Sequence, residues 1–213
     1  MSSRKKTVLL EAGILTKEAG TTAYDGSGNG NVGTLNNFGW NATSGWTSGK
    51  FGKGLQFDGV NDYVDAGNAA SLNITDAITV AAWAKPITPE GISNYATIVS
   101  RNNLLFRTRE GAAKRFAFFV KIIGVWEPRA DWDYTDSNIW YHIVGTYDKN
   151  AVANNLKLYV NGGLKEVQTR TGIIDSPTAN LLIGNVFNGT IDEVRIWNKA
   201  LMPDDTVVMK QII

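Results

Sequence analysis

The chain has 213 residues, no cysteine, and 21 Lys and Arg set against 20 Asp and Glu. That length holds one large β domain with its own core. The missing cysteines exclude disulfides and thiolate metal sites, and the balanced charge gives no field that would gather nucleic acid or an anionic membrane. With 22 Gly against 5 Pro, the composition points to many tight turns rather than disorder.

Residues 1–6 are polar and basic, but the apolar run behind them is broken by Glu11 and has no small-residue cleavage site, so it does not read as a signal peptide. No stretch approaches the ~18 to 20 apolar residues of a membrane helix, and no membrane insertion is expected. Residues 7–15 suit a strand or an extended arm, which divides the chain into an N-terminal arm or edge strand, 1–19, and a sandwich domain, 20–213. Residues 16–33 are rich in Gly, Thr, Ser and Asn around Asp25-Gly26-Ser27-Gly28-Asn29-Gly30-Asn31. A loop this long needs something to hold it, and a bound ion is an economical holder.

Strands are predicted at 55–57 and 63–64, flanking an Asp58-to-Asp62 turn, and at 78–85, stopped by Pro86. Further strands are predicted at 96–99, 104–107 and 115–123. The last places Phe116, Phe118 and Val120 on one face and Ala117, Phe119 and Lys121 on the other, so the second face is half apolar and suits a covered or ligand-facing surface. Strands at 139–147, 156–160 and 164–168 follow, the last two joined by Asn161-Gly162, whose positive φ angles make a tight hairpin. Residues 181–184 pair with 190–197, and 203–210 read as one or two helical turns. Many short strands with almost no helix mean an all-β, two-sheet antiparallel sandwich.

Seven Trp and seven Tyr form a large aromatic stock. Trp83, Trp140, Trp197 and Tyr159 sit on regular alternation and read as core or sheet-face residues. Trp40 and Trp46 flank an irregular segment, and a second one, 126–134, gathers Trp126, Arg129, Asp131, Trp132 and Tyr134. Aromatic faces stack on the CH-rich faces of sugars while Asp and Arg satisfy hydroxyls, so these five are the candidate ligand contacts, with a lid folded over the sandwich edge as the competing reading. Catalysis is not expected. No Glu-x-Asp-x-Glu strand is present, Asp192 and Glu193 are adjacent and so would leave opposite faces of a strand, residues 107–110 only echo a lyase cluster, and the sole histidine, His142, lies in a core strand as a packed, hydrogen-bonded imidazole.

The run Phe51 to Gly59, the Asn61-Asp62-Tyr63-Val64 strand, the Trp83 strand, Trp140 to Asp148, the Leu158-to-Gly162 hairpin and the closing Gly189 to Leu201 segment fall in one order. Together they resemble the laminin-G-like branch of the concanavalin A-like jelly rolls, over roughly residues 25–201. Residues before Gly20 depart from that pattern. The resemblance implies a jelly roll that binds surfaces or glycans rather than cutting them, and a structural calcium held between the first loop and the last long strand. Here that maps to Asp25, Gly28 and Asn31 with Asp192; the competing reading has Asp25 and Ser27 capping turns and Asp192 facing water beside Arg195. The turn holding Asp58, Asn61 and Asp62 resembles the pentraxin calcium site, with a plain hairpin turn as its alternative. Expected partners are a glycan or surface polysaccharide, in an extracellular or virion-surface setting. The alternative is a building block of a virion or other assembly whose N-terminal arm adds a strand to neighbouring subunits.

Overall fold

The computed structural model describes residues 7–9, 20–87, 95–110 and 113–202. Among these the strands in chain order are β1 (Thr7–Leu9), β2 (Thr22–Ala23), β3 (Gly33–Asn36), β4 (Gly45–Ser48), β5 (Lys53–Asp58), β6 (Tyr63–Asp65), β7 (Ala77–Pro86), β8 (Thr97–Arg101) and β9 (Leu104–Glu110). They continue as β10 (Ala113–Val120), β11 (Ala130–Asp133), β12 (Tyr141–Asp148), β13 (Leu156–Val160), β14 (Gly163–Gln168), β15 (Leu182–Ile183) and β16 (Asn188–Trp197), with a single 3-10 turn at Ala70–Leu72. Sheet A runs β14-β13-β12-β7-β16-β5-β4 with β1 also on β16, and sheet B runs β11-β10-β9-β8-β15-β6-β3-β2. All pairings are antiparallel, as expected, but β15 pairs with β6 and β8 rather than with 190–197, because β15 and β16 belong to different sheets.

Alternation places the core. On sheet A, Ile78, Val80, Ala82 and Ala84 of β7 and Ile143 and Tyr147 of β12 point inward, to meet Phe106 of β9 and Phe116, Phe118 and Val120 of β10. Sheet A is also covered on its outer face, where Ala81, Trp83, Val144, Tyr159, Trp197 and Leu201 form a second, smaller apolar cluster with Trp140 against it. This is why β7 and β12 are apolar on both faces, and why the aromatics on regular alternation are packing residues. The Asn161-Gly162 hairpin has both central residues at positive φ, 51° and 77°, as a primed turn requires.

Four strands were not anticipated: β2, β3, β4 and β11. The first three are two to four residues long and rich in Gly, Thr, Ser and Asn, so they hold their place through partners rather than propensity. Strand β1 pairs with β16 of its own chain, Thr7 opposite Trp197, so this part of the expected arm extends its own sheet. The rest of the 1–19 segment, apart from Gly20 onward, and the helical turns expected at 203–210 lie outside the described residues.

Candidate functional site

The half-apolar outer face expected on β10 is the centre of the site. Phe119 is only 2% exposed because neighbouring side chains cover its ring. The Arg107 guanidinium of β9 lies 4.8 Å from the ring centre, that of Arg129 lies 5.4 Å away, and the Trp126 indole meets it edge-on at 6.4 Å. Arg107 also stacks on the exposed Tyr95 at 4.4 Å, and the Lys121 ammonium sits 5.7 Å over Trp126. Along the next strand, Ala117 pairs with Asp131 and Arg115 with Asp133. Arg129 donates to Asp131 at 2.7 Å and to Glu127 at 2.8 Å, while Arg115 bridges Asp131 at 3.5 Å and Asp133 at 2.6 Å. Hydrogen bonding from Arg115 pulls the Asp133 carboxyl below its ordinary value. The result is a surface of rings and planar guanidiniums, held in place by a line of alternating charges.

The loop bordering this face is anchored from below. Asp175 accepts the Ile123 and Gly124 amides at 2.7 and 2.9 Å, and Arg170 donates to the carbonyls of Val125 and Pro128 at 2.7 and 3.1 Å. These charged bonds hold Ile123 at a φ of 50° and leave it 85% exposed.

Of the five expected ligand contacts, the structure gathers Trp126, Arg129 and Asp131 on the outer face. It sends Trp132 and Tyr134 inward. Residues 130–133 form a strand, so Ala130, Trp132 and Tyr134 share the core side. Tyr134 stacks on Phe116 at 4.5 Å and donates to the Thr108 carbonyl, and Trp132 packs on the core under the Lys165 ammonium. Both are corrected to packing residues. Phe119, Arg107 and Tyr95 belong to the face instead; the alternation of β10 points to Phe119, whereas Arg107 arrives from β9 and Tyr95 from the residues just before β8, which only the sheet order brings alongside. A cleft of about 430 Å³ opens between the sheets near Trp46, Leu55, Phe57, Val64, Ile183 and Ile191, but its apolar walls offer a sugar few hydrogen bonds.

The residues expected to share calcium have different partners. Asp25 takes the Ser27 amide and hydroxyl at 2.8 and 2.7 Å and the Asn31 amide at 3.1 Å, which closes the 25–31 loop as an Asx turn; Asn31 then accepts the Ser71 hydroxyl at 2.8 Å. Asp192 is buried rather than facing water. It accepts the Phe51 amide at 2.9 Å and the Glu193 amide at 2.8 Å, and a Cβ on Gly49 would fall 2.5 Å from its Oδ2, so the acid pins the β4–β5 hairpin tip. Both carboxylates thus receive N–H donors where a cation would need free oxygens, and no group of three His, Asp or Glu side chains converges among the described residues. As arranged, Asp25, Gly28, Asn31 and Asp192 do not fit one shared calcium site. The second oxygen-rich turn is built as a hairpin turn: Asp58 accepts the Val60 amide at 2.8 Å and that of Asn61 at 3.3 Å, and Asp62 caps Asp58.

With this geometry in place, comparison with known proteins identifies the fold family. A laminin-G-type family model, described as the concanavalin A-like lectin/glucanases superfamily, matches residues 58–206. The chain belongs to this superfamily. Among solved structures it is similar to domain 4 of AbnA, an extracellular arabinanase from Geobacillus stearothermophilus solved with arabinotriose, at 23% identity and a TM-score of 0.63 over 84% of this chain and 88% of that one. It is also similar to the receptor binding domain of a botulinum neurotoxin C/D mosaic serotype (16%, TM-score 0.71, 97% and 51% covered) and to the binding domain of Paraclostridial Mosquitocidal Protein 1 (17%, 0.67, 96% and 51%). The chain thus spans about half the length of those two toxin domains. No curated protein matches the sequence.

In this laminin-G-like domain the two adjacent acids of β16 hold the fold together. Glu193 is buried against Arg195, next to Asp192 at a bulge in β16. Burial pushes the Asp192 carboxyl up to about 6, against the Phe51 amide, which favours its charged form. Burial, with Arg195 nearby, pushes His142 down to about 4, so the imidazole is neutral at physiological pH. It is packed, as expected, but its Nε2 has no hydrogen-bond partner. Among the described residues no helix is long and apolar enough to cross a membrane.

Proposed function

We propose that this laminin-G-like domain is a non-catalytic recognition module that binds a glycan on the outer face of β8 to β11. One observation carries the reading: the exposed Tyr95 ring and the half-buried Trp126 indole, held beside Arg107 and Arg129 by the buried Phe119 ring, offer flat apolar surface and fixed polar groups side by side, the pairing that sugar rings and their hydroxyls require. The Asp175 and Arg170 anchors support it, because a preorganised loop loses less entropy on binding. The shared fold of a domain solved with arabinotriose agrees with this reading, as do the toxin binding domains, and all favour an extracellular or cell-surface setting for the ligand.

A glycan array, followed by titration of the best ligand, tests the proposal. Trp126→Ala should weaken binding about five- to tenfold with little change in melting temperature, since one lost aromatic contact is worth roughly 1 to 1.5 kcal/mol. Trp132→Ala should instead destabilise the fold, because that ring packs on the core. Unchanged affinity for Trp126→Ala would move the site elsewhere. No step of this reading runs through calcium: the melting temperature should be equal in EDTA and in millimolar calcium, and a rise with calcium would show that the folded domain binds the ion.

A further inference from the structure

The outer face of sheet A, opposite the proposed glycan face, contains a second polar feature. Register places His142 directly beside Trp83, and Trp83 beside Asp192. The Trp83 and His142 rings lie 5.1 Å apart and are sealed from solvent, 5% and 2% exposed. The 49–52 hairpin tip closes over them, with Phe51 edge-on to Trp83 at 5.9 Å and the Lys50 ammonium 4.5 Å above it. Under this cover the indole Nε1–H and the imidazole Nε2 have no hydrogen-bond partner, nor do they bond each other. A buried polar atom left unpaired costs about 1 to 3 kcal/mol. Two such atoms on side chains paired in register point to one shared partner rather than two separate defects.

We propose that Trp83 and His142 form a buried two-point site for one hydroxyl oxygen, occupied by a single water. The indole only donates, whereas the imidazole nitrogen donates or accepts according to tautomer. A water or hydroxyl accepts from the indole and does either toward the imidazole, so it satisfies both atoms in either tautomer. A cation is opposed by the indole N–H, Lys50 and Arg195, and an anion by the neighbouring Asp192 and Glu193. A sugar hydroxyl has the same chemistry as water, but the hairpin tip, pinned by Asp192 through the Phe51 amide, leaves a sugar ring no path to it.

The experiment is water-to-protein NOE spectroscopy on the full ¹⁵N-labelled chain, with the Trp83 indole assigned through Trp83→Phe. A direct NOE between the Trp83 Nε1–H and a long-lived water is expected, together with no movement of that signal on adding arabinotriose. Absence of the water contact overturns the proposal, and a shift with arabinotriose overturns water as the occupant. Stability gives an independent measure: Trp83→Phe and His142→Phe should each lower the folding constant. The double variant should lose clearly less than the product of the two losses, because the site is then removed whole; strictly additive losses would refute a shared partner.

Discussion

Gly189→Ala should cost the fold about 3 to 5 kcal/mol, measured as a fall in the urea midpoint. Gly189 opens β16 between Phe57 of β5 and Pro86 of β7, at a φ of 137° that L side chains rarely adopt. A Cβ there would lie 2.2 Å from the Lys85 carbonyl oxygen and 3.0 Å from the Ile87 nitrogen and the Pro86 Cα. These are backbone atoms of the neighbouring strand. The clash cannot be relieved by a rotamer change and must open the β7–β16 pair at the middle of sheet A. Gly28→Ala is the control: its φ is 81°, but a Cβ meets nothing within 4 Å, so only the left-handed penalty of about 1 to 2 kcal/mol remains. Equal losses for the two would show that the close approach at Gly189 is not what requires glycine.

Asp192 should make stability depend on pH in the direction opposite to that of an ordinary salt-bridged carboxylate. Its folded value of about 6 lies above its ordinary value of 3.8 because burial penalises the charged form more than the amide bonds repay. The contribution is therefore fully present below pH 3.8 and is lost as pH rises through 6, a change of about 3 kcal/mol at 1.36 kcal/mol per unit. His142, lowered from 6.5 to about 4, acts in the other sense: its contribution is present above 6.5 and lost as pH falls through 4. The wild type alone thus mixes the two. The difference in unfolding free energy between the wild type and Asp192→Asn isolates the carboxyl, and it should fall by about 2.5 kcal/mol between pH 4 and pH 7. A flat difference would mean that water reaches the acid beneath the hairpin tip.

The candidate site shows how far alternation can be read. Phe119 was identifiable because Phe116, Phe118 and Val120 had to share a face, which left Phe119 on the other. The same rule, applied to residues 130–134, would have turned Trp132 and Tyr134 inward. In the sequence, Glu127, Pro128, Arg129, Asp131 and Asp133 crowd that segment with polar groups and mask its alternation. Those charges do not preclude a strand here, since Arg115 neutralises Asp131 and Asp133 across the sheet and Arg129 neutralises Asp131 within the segment. Asp192 matters for a different reason from the one the resemblance implies: an acid on the last strand looks like a metal ligand, whereas here it receives the Phe51 amide of a hairpin tip.

What the amino-acid sequence determined by itself is the layered all-β architecture and its inner faces, because period-two alternation, stop signals such as Pro86 and the Asn161-Gly162 turn act over a few residues and need no distant partner. The tertiary structure alone decided which polar groups meet. Arg107 and Arg129 reach the Phe119 ring only through the sheet order, and Asp192 finds the Phe51 amide 141 residues away. Hydrogen bonds and ion pairs are short-ranged and directional, so their partners are set by the closure of the two sheets and cannot be read from spacing along the chain.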